Sequence, residues 1–172
     1  VVMSELAVER MSVMGANAAE ITTTYGLALC QVGREEEALA LFETIDVNFP
    51  YAYAVRALAA AISGDDVSPL IDAAEVWSIR GSSYLDRAIA DIAAVAVEVR
   101  TGDVLGADHR LLRTAKLVTE VGDQVAMNLV AHVRATLLWS DDGADLFPAS
   151  ELRVGWRRVV TGLAGLTARP VS

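Results

Sequence analysis

His109, His132 and Cys30 are the side chains best suited to nucleophilic, acid–base or metal chemistry, and Asp141, Asp142 and Asp145 form an acidic cluster. A zinc-binding helix needs two histidines one turn apart. His109 and His132 instead stand on different candidate helices, in A-D-H-R and V-A-H-V-R. The first reads as a solvated residue near a helix start and the second as a packing residue on an apolar face. A calcium loop needs carboxylates at alternate positions, glycine at the sixth and glutamate at the twelfth. Gly143 and Glu151 do not supply that register, so the cluster reads as a polar turn, as does Asp65-Asp66. Cys30 would attack a substrate only if a neighbour lowered its pKa, and Leu29 and Gln31 do not. A single cysteine excludes an internal disulfide and a cysteine-based zinc site, and fits a reducing compartment.

Phosphate-binding and hydrolase motifs are missing too. The glycines at 102 and 106 are followed by no Lys-Ser/Thr pair and preceded by no strand. No G-x-S-x-G elbow occurs. Two basic sets remain: Arg110, Arg113 and Lys116 at three-residue spacing, and Arg153, Arg157 and Arg158 near the end. Each is either a surface for an acidic partner or a solvated outer face. Trp77, Trp139 and Trp156 read as packing anchors. These residues predict no catalytic site, no metal and no cofactor, and hence not an enzyme.

The chain that must position them has 172 residues, 53% of them hydrophobic, and a formal net charge of −9. Its mean hydropathy is +0.38 and its pI about 4.6. A large core can form from such a composition. The acidic balance disfavours direct nucleic-acid binding, which draws on clustered Lys and Arg, and disfavours anionic membrane surfaces. No apolar run reaches the ~18 residues a membrane helix needs. The start V-V-M-S-E-L shows no signal-peptide pattern and reads as a piece of a longer protein. A cytoplasmic location is the expectation.

Apolar residues recur at helical spacing along nearly the whole chain. The pattern predicts nine helices, near 3–14, 16–32, 35–47, 50–63, 68–80, 83–101, 104–121, 123–140 and 149–166. Gly33, Gly64, Gly102 and Gly143 each follow a candidate helix, where glycine tolerates the left-handed closing conformation. Ser68-Pro69 reads as a cap followed by a first-turn proline, and Ser83 with Asp86 as a capping box. Asp103 can cap the helix after Gly102, and Glu35, Glu36 and Glu37 suit a first turn. Short connections force antiparallel neighbours. The fold predicted is all-α, one domain over 1–172.

One stretch, 22–50, carries Gly26, Ala38, Phe42 and Pro50 at the spacings of a tetratricopeptide repeat, and residues 19–50 resemble one unit of that family. Thr22 stands where the family has a bulky residue and Leu29 where it has tyrosine. A weaker copy runs over 91–119, with Gly102, Ala107 and Leu111 at the turn, Ala and Phe places. Residues 50–80 and 129–166 match only as helical hairpins. The segment around 100–126 also resembles repeats of large bacterial signalling regulators, and the Ala/Val/Arg/Asp-rich composition suits an actinobacterial source.

The resemblance implies a right-handed superhelical solenoid of about four antiparallel hairpins. Its concave face would come from the first helix of each hairpin. On that face it places Glu20, Thr23, Leu27, Cys30 and Gln31, then Ile89, Ile92, Ala96, Val99 and Arg100. Such a surface would form a groove for a partner helix or extended peptide, or these residues are core covered by a neighbour. Gly26, Ala38, Phe42, Pro50, Ala107 and Leu111 would be the packing residues that define the repeats. The function implied is protein–protein interaction within a multidomain regulator, with a homodimer through apolar end helices as one form. The alternative is a structural dimerisation or spacer domain with no separate ligand.

Overall fold

The computed structural model describes residues 18–44, 49–78, 83–138 and 154–167, and every regular element among them is helical. The helices are α1 (Ala18–Val32), α2 (Glu35–Glu43), α3 (Pro50–Ser63), α4 (Ser68–Ser78), α5 (Tyr84–Arg100), α6 (Val104–Val121), α7 (Gln124–Leu138) and α8 (Val154–Thr167). They follow eight of the nine expected segments. The segment 3–14 lies outside the described residues, as do Trp139, Asp141, Asp142, Gly143, Asp145, Glu151, Arg153 and the side chain of Trp77.

Local chemistry sets the helix ends. Ser83 Oγ accepts the Asp86 N–H at 3.3 Å while Asp86 Oδ2 accepts the Ser83 N–H at 3.1 Å, completing the capping box of α5. Asp103 Oδ1 accepts the Gly106 N–H at 3.0 Å and caps α6. Pro50 occupies the first turn of α3, where its missing N–H costs nothing. At α4 the first helical carbonyl is that of Val67, one residue ahead of Ser68, and Asp66 Oδ1 takes the Ser68 N–H at 3.0 Å. Gly102 (φ 88°) and Gly122 (φ 78°) close α5 and α6 in the left-handed region, which a Cβ would strain. Each lets the next residue's N–H reach back, Asp103 to Glu98 O at 2.8 Å and Asp123 to Val118 O at 3.3 Å. The Gly122 turn is the one the sequence expectation did not single out.

Packing follows chain order. Each helix from α1 to α7 lies against the next, and α1, α3, α5 and α7 also pack on one another in succession. Small residues permit this closeness. Ala52, Ala54, Ala57, Ala59, Ala60 and Ala61 of α3 are buried, and all nine residues from Ala88 to Ala96 of α5 are buried. With α3, α4, α6, α7 and α8 around it, α5 is the central helix.

In the first hairpin, Gly26 of α1 lies on the ring of Phe42 from α2, and Phe42 in turn packs with Ala52 and Val55 of α3. Ala38, Ala107 and Leu111 are fully buried in the main core. Phe42 thus joins the first hairpin to the helix that follows.

Candidate partner-binding face

The faces of α1, α3, α5 and α7 that turn away from α2, α4 and α6 are the ones left to cover. The last helix covers them: α8 packs against all four alternating helices. The sequence expectation placed this segment only as the second half of a final hairpin. Its apolar stripe explains the difference. Trp156, Val159, Val160 and Leu163 follow helical spacing, and all four are buried. One stripe that wide finds more apolar area on four helices than on one.

Glycines set how closely α8 approaches. A Cβ at Gly155 would stand 2.8 Å from Gln31 Cβ, and one at Gly162 would stand 3.1 Å from Ile62 Cγ2. Gly155 therefore seats α8 on the end of α1, and Gly162 seats it on the end of α3. Between these contacts a cavity of about 220 Å³ remains, lined by Cys30, Glu35 and Ile62 on one side and Arg158, Thr161 and Gly162 on the other. The Arg158 guanidinium lies over Gly33 at the mouth.

Glu35 and Arg158 bring opposite charges to the cavity wall. Burial pushes the Cys30 thiol up to about 12, and the neighbouring Glu35 charge adds to the effect. Cys30 is thus a protonated, unreactive thiol at neutral pH. Glu35 Oε2 and Arg157 Nε are inaccessible to solvent and have no hydrogen-bond partner among the described residues.

The ten residues expected on an open concave surface divide into separate environments. Glu20 is exposed. Thr23 is buried and turns its hydroxyl back to Ala19 O at 2.8 Å. Leu27 is half-buried and packs against the Phe42 cluster, on the side of α2 and α3. Cys30 and Gln31 meet α8. Ile89, Ile92 and Ala96 are buried in the α5 core, and Val99 and Arg100 are half-buried. Arg100 Nη2 donates to Asp65 O at 3.3 Å, in the turn after α3. Thr23, Cys30, Ile89, Ile92 and Ala96 therefore line no open groove, because neighbouring helices have already taken their area.

A second polar group went unforeseen. Asp91 is 3% exposed within the apolar run of α5. Its oxygens accept from Thr114 Oγ1 at 2.7 Å, Arg87 Nε at 3.1 Å and Arg110 Nη1 at 3.2 Å. Arg110 also donates to Glu98 Oε1 from Nε at 2.9 Å and Nη2 at 2.7 Å. Burial opposes its charge, yet the Glu98 and Asp91 carboxylates hold its pKa above the ordinary value. A lone carboxylate inside A-I-A-D-I-A-A-V-A was the available signal, since a buried charge demands partners.

That contact also breaks up the expected basic stripe. Arg110 turns inward, Arg113 is exposed, and Lys116 is 79% exposed with Glu120 at 3.9 Å. Three-residue steps rotate around a helix by about −60° each, so the set spreads over the surface. Elsewhere, Arg134 Nε donates to Asp108 Oδ1 at 2.7 Å and joins α7 to α6. Tyr84 Oη donates to Asp123 Oδ2 at 2.8 Å and joins the start of α5 to the cap of α7. His132 is half-buried, and its Nδ1 has no partner among the described residues.

Among the described residues no group of three His, Cys, Asp or Glu side chains could hold a metal ion. No described helix is long and apolar enough to cross a membrane. In comparisons with known proteins, no family model, no curated protein and no solved structure matches the chain.

Proposed function

We propose that this chain is a helical-repeat interaction module. Its α1–α7 segment would be a right-handed superhelical stack of tetratricopeptide-like hairpins, with α1, α3, α5 and α7 forming the receiving face. The ligand class is an amphipathic helix, and the setting is a cytoplasmic, multidomain bacterial regulator. One observation carries this reading: a helix, α8, already lies across those four helices. The face therefore has the shape and apolar area to accept one. The proposed role is non-enzymatic.

The test uses a chain ending at residue 153 and a separate peptide, Val154–Thr167. If the shortened chain keeps its helical circular-dichroism signal and binds the peptide saturably, the face is a helix receptor. A folded shortened chain that ignores the peptide refutes the reading.

A second reading has its own support. Leu105 is 76% exposed, and Val104, Leu112, Val121 and Val125 are each 45–49% exposed on α6 and α7. Exposed apolar side chains at both ends of an outer helix suit self-association. In that case α8 is a permanent part of the core and the module is a dimerisation or spacer domain. Light scattering across a concentration series separates the two readings, since a tight dimer broken by Leu105→Glu favours the second.

A further inference from the structure

We propose that α8 is an exchangeable resident of the face it covers, and that the partner displacing it is a basic amphipathic helix with glycine at the places of Gly155 and Gly162. This rests on the reading of that face as a helix receptor.

The sequence of α8 makes it a poor helix on its own. Gly155, Gly162 and Gly165 fall within its 14 residues. Each glycine disfavours helix by about fivefold relative to alanine. A segment this short and this glycine-rich is mostly unstructured when undocked, so docking must order it. The fit nonetheless favours two of the glycines, because a Cβ at 155 would stand 2.8 Å from Gln31 and force a shift, and one at 162 would press on Ile62 at 3.1 Å. Closeness of approach has been kept at the expense of helix strength.

The seat is also imperfect. Helices α5, α6 and α7 are joined by Arg110 to Asp91 and Glu98 and by Arg134 to Asp108. At α8, by contrast, Arg157 Nε and Glu35 Oε2 have no hydrogen-bond partner among the described residues, and beside the close approach of Gly162 to Ile62 a cavity of about 220 Å³ remains between α8, Cys30 and Glu35. A helix that carried a donor to Glu35 Oε2 would satisfy an oxygen that no described group of α8 meets. Such a helix gains a hydrogen bond to a charged group that the resident lacks.

Charge selects the same partner. α8 has two arginines, Arg157 and Arg158, and no acidic residue, in a chain of net charge −9. Glu35, at the start of α2 beside the receiving face, lines the cavity together with Arg158. A basic helix is attracted to this surface and an acidic one repelled.

The test uses the 172-residue chain and a fluorescein-labelled Val154–Thr167 peptide followed by anisotropy. Gly162→Val weakens the chain's own α8 by driving methyl groups into Ile62. Gly165→Ala strengthens it, because nothing lies within 4 Å of that position. A tethered helix competes at millimolar effective concentration, so loosening it raises the affinity for a helix in trans by about tenfold or more. The expected order is Gly162→Val tightest, native intermediate and Gly165→Ala weakest, the last by about fivefold. Equal affinities for all three chains overturn the proposal.

If Gly162→Val loses its helical signal, hydrogen exchange on the native chain decides. The α8 amides must then exchange about 100-fold faster than those of α3 and α5. Exchange of all three at one rate overturns the proposal. Binding of the peptide by the chain ending at 153, together with equal affinities here, leaves the receptor reading standing and removes only the exchange. No binding by that folded shortened chain removes both.

Discussion

Gly26 lies so close to Phe42 that a Cβ added there would meet the ring at 2.8 Å. This contact locks α1 against α2 while Phe42 reaches on to Val55 of α3. Alanine at Gly26 would gain about 1 kcal/mol of helix propensity. It would cost about 1–3 kcal/mol through overpacking, because the rigid ring has few ways to yield. Gly26→Ala is therefore expected to lower stability in urea unfolding. Gly26→Ala combined with Phe42→Leu should fall short of the summed single losses, since the smaller side chain relieves the clash. Additive losses would show that the two residues do not press on each other.

The Asp91 group should behave as a unit. Asp91→Ala removes an acceptor shared by Arg87, Arg110 and Thr114, while Arg110 keeps Glu98 and Thr114 keeps the Arg110 carbonyl. It is expected to cost about 1.5–3 kcal/mol, the scale of a hydrogen bond to a charged group. Thr114→Ala removes one hydroxyl donor to a carboxylate and should cost about 1.5 kcal/mol. A double-mutant cycle between them should show coupling above about 0.5 kcal/mol. A loss under about 0.5 kcal/mol for Asp91→Ala would mean that the carboxylate is not needed to hold α5 on α6.

Stability should fall at both ends of the pH range, for separate reasons. The Arg134 guanidinium holds Asp108 below its usual value, and the Ala126 N–H and Tyr84 O–H do the same for Asp123. Each folded pKa lies under the unfolded one, so the unfolded chain binds protons first as pH drops. Their contribution is full above about pH 4 and disappears as pH falls through the folded values. Asp108→Ala with Asp123→Ala should be less stable at pH 7 and show a shallower acid decline. At the other end, Cys30 is raised from 9.0 to about 12, so the folded state keeps its proton longer. Stability present below pH 9 should decline from there toward 12, and Cys30→Ala should flatten that decline. Urea unfolding across pH checks both limbs.

The parts of the fold legible in the sequence are those fixed by near neighbours. The Ser83 and Asp86 capping box, the Asp103 cap, and Gly102 before it each depend on residues within one turn. The closeness of Gly26 and Phe42 came from a repeat spacing that encodes a local hairpin. The position of α8 depended instead on which faces four other helices left uncovered, and no local pattern carries that. The stripe from Trp156 to Leu163 announces a buried face without naming its partner. Likewise Asp91 inside an apolar run signals a buried counterion, but Arg110 and Thr114 face it only because α6 folds back along α5. The ten expected groove residues were assigned by analogy to an empty face. Five of them are buried because the chain fills its own space.

Cys30 offers the most direct check, since it is the one cysteine of the chain and lies beside α8. Iodoacetamide labelling of Cys30 should be compared between the 172-residue chain and the chain ending at residue 153, both under folding conditions. Labelling should be at least about tenfold faster without α8, because the thiol becomes both accessible and easier to ionise. Equal rates in two folded chains would contradict it, for α8 would then not be what covers that face.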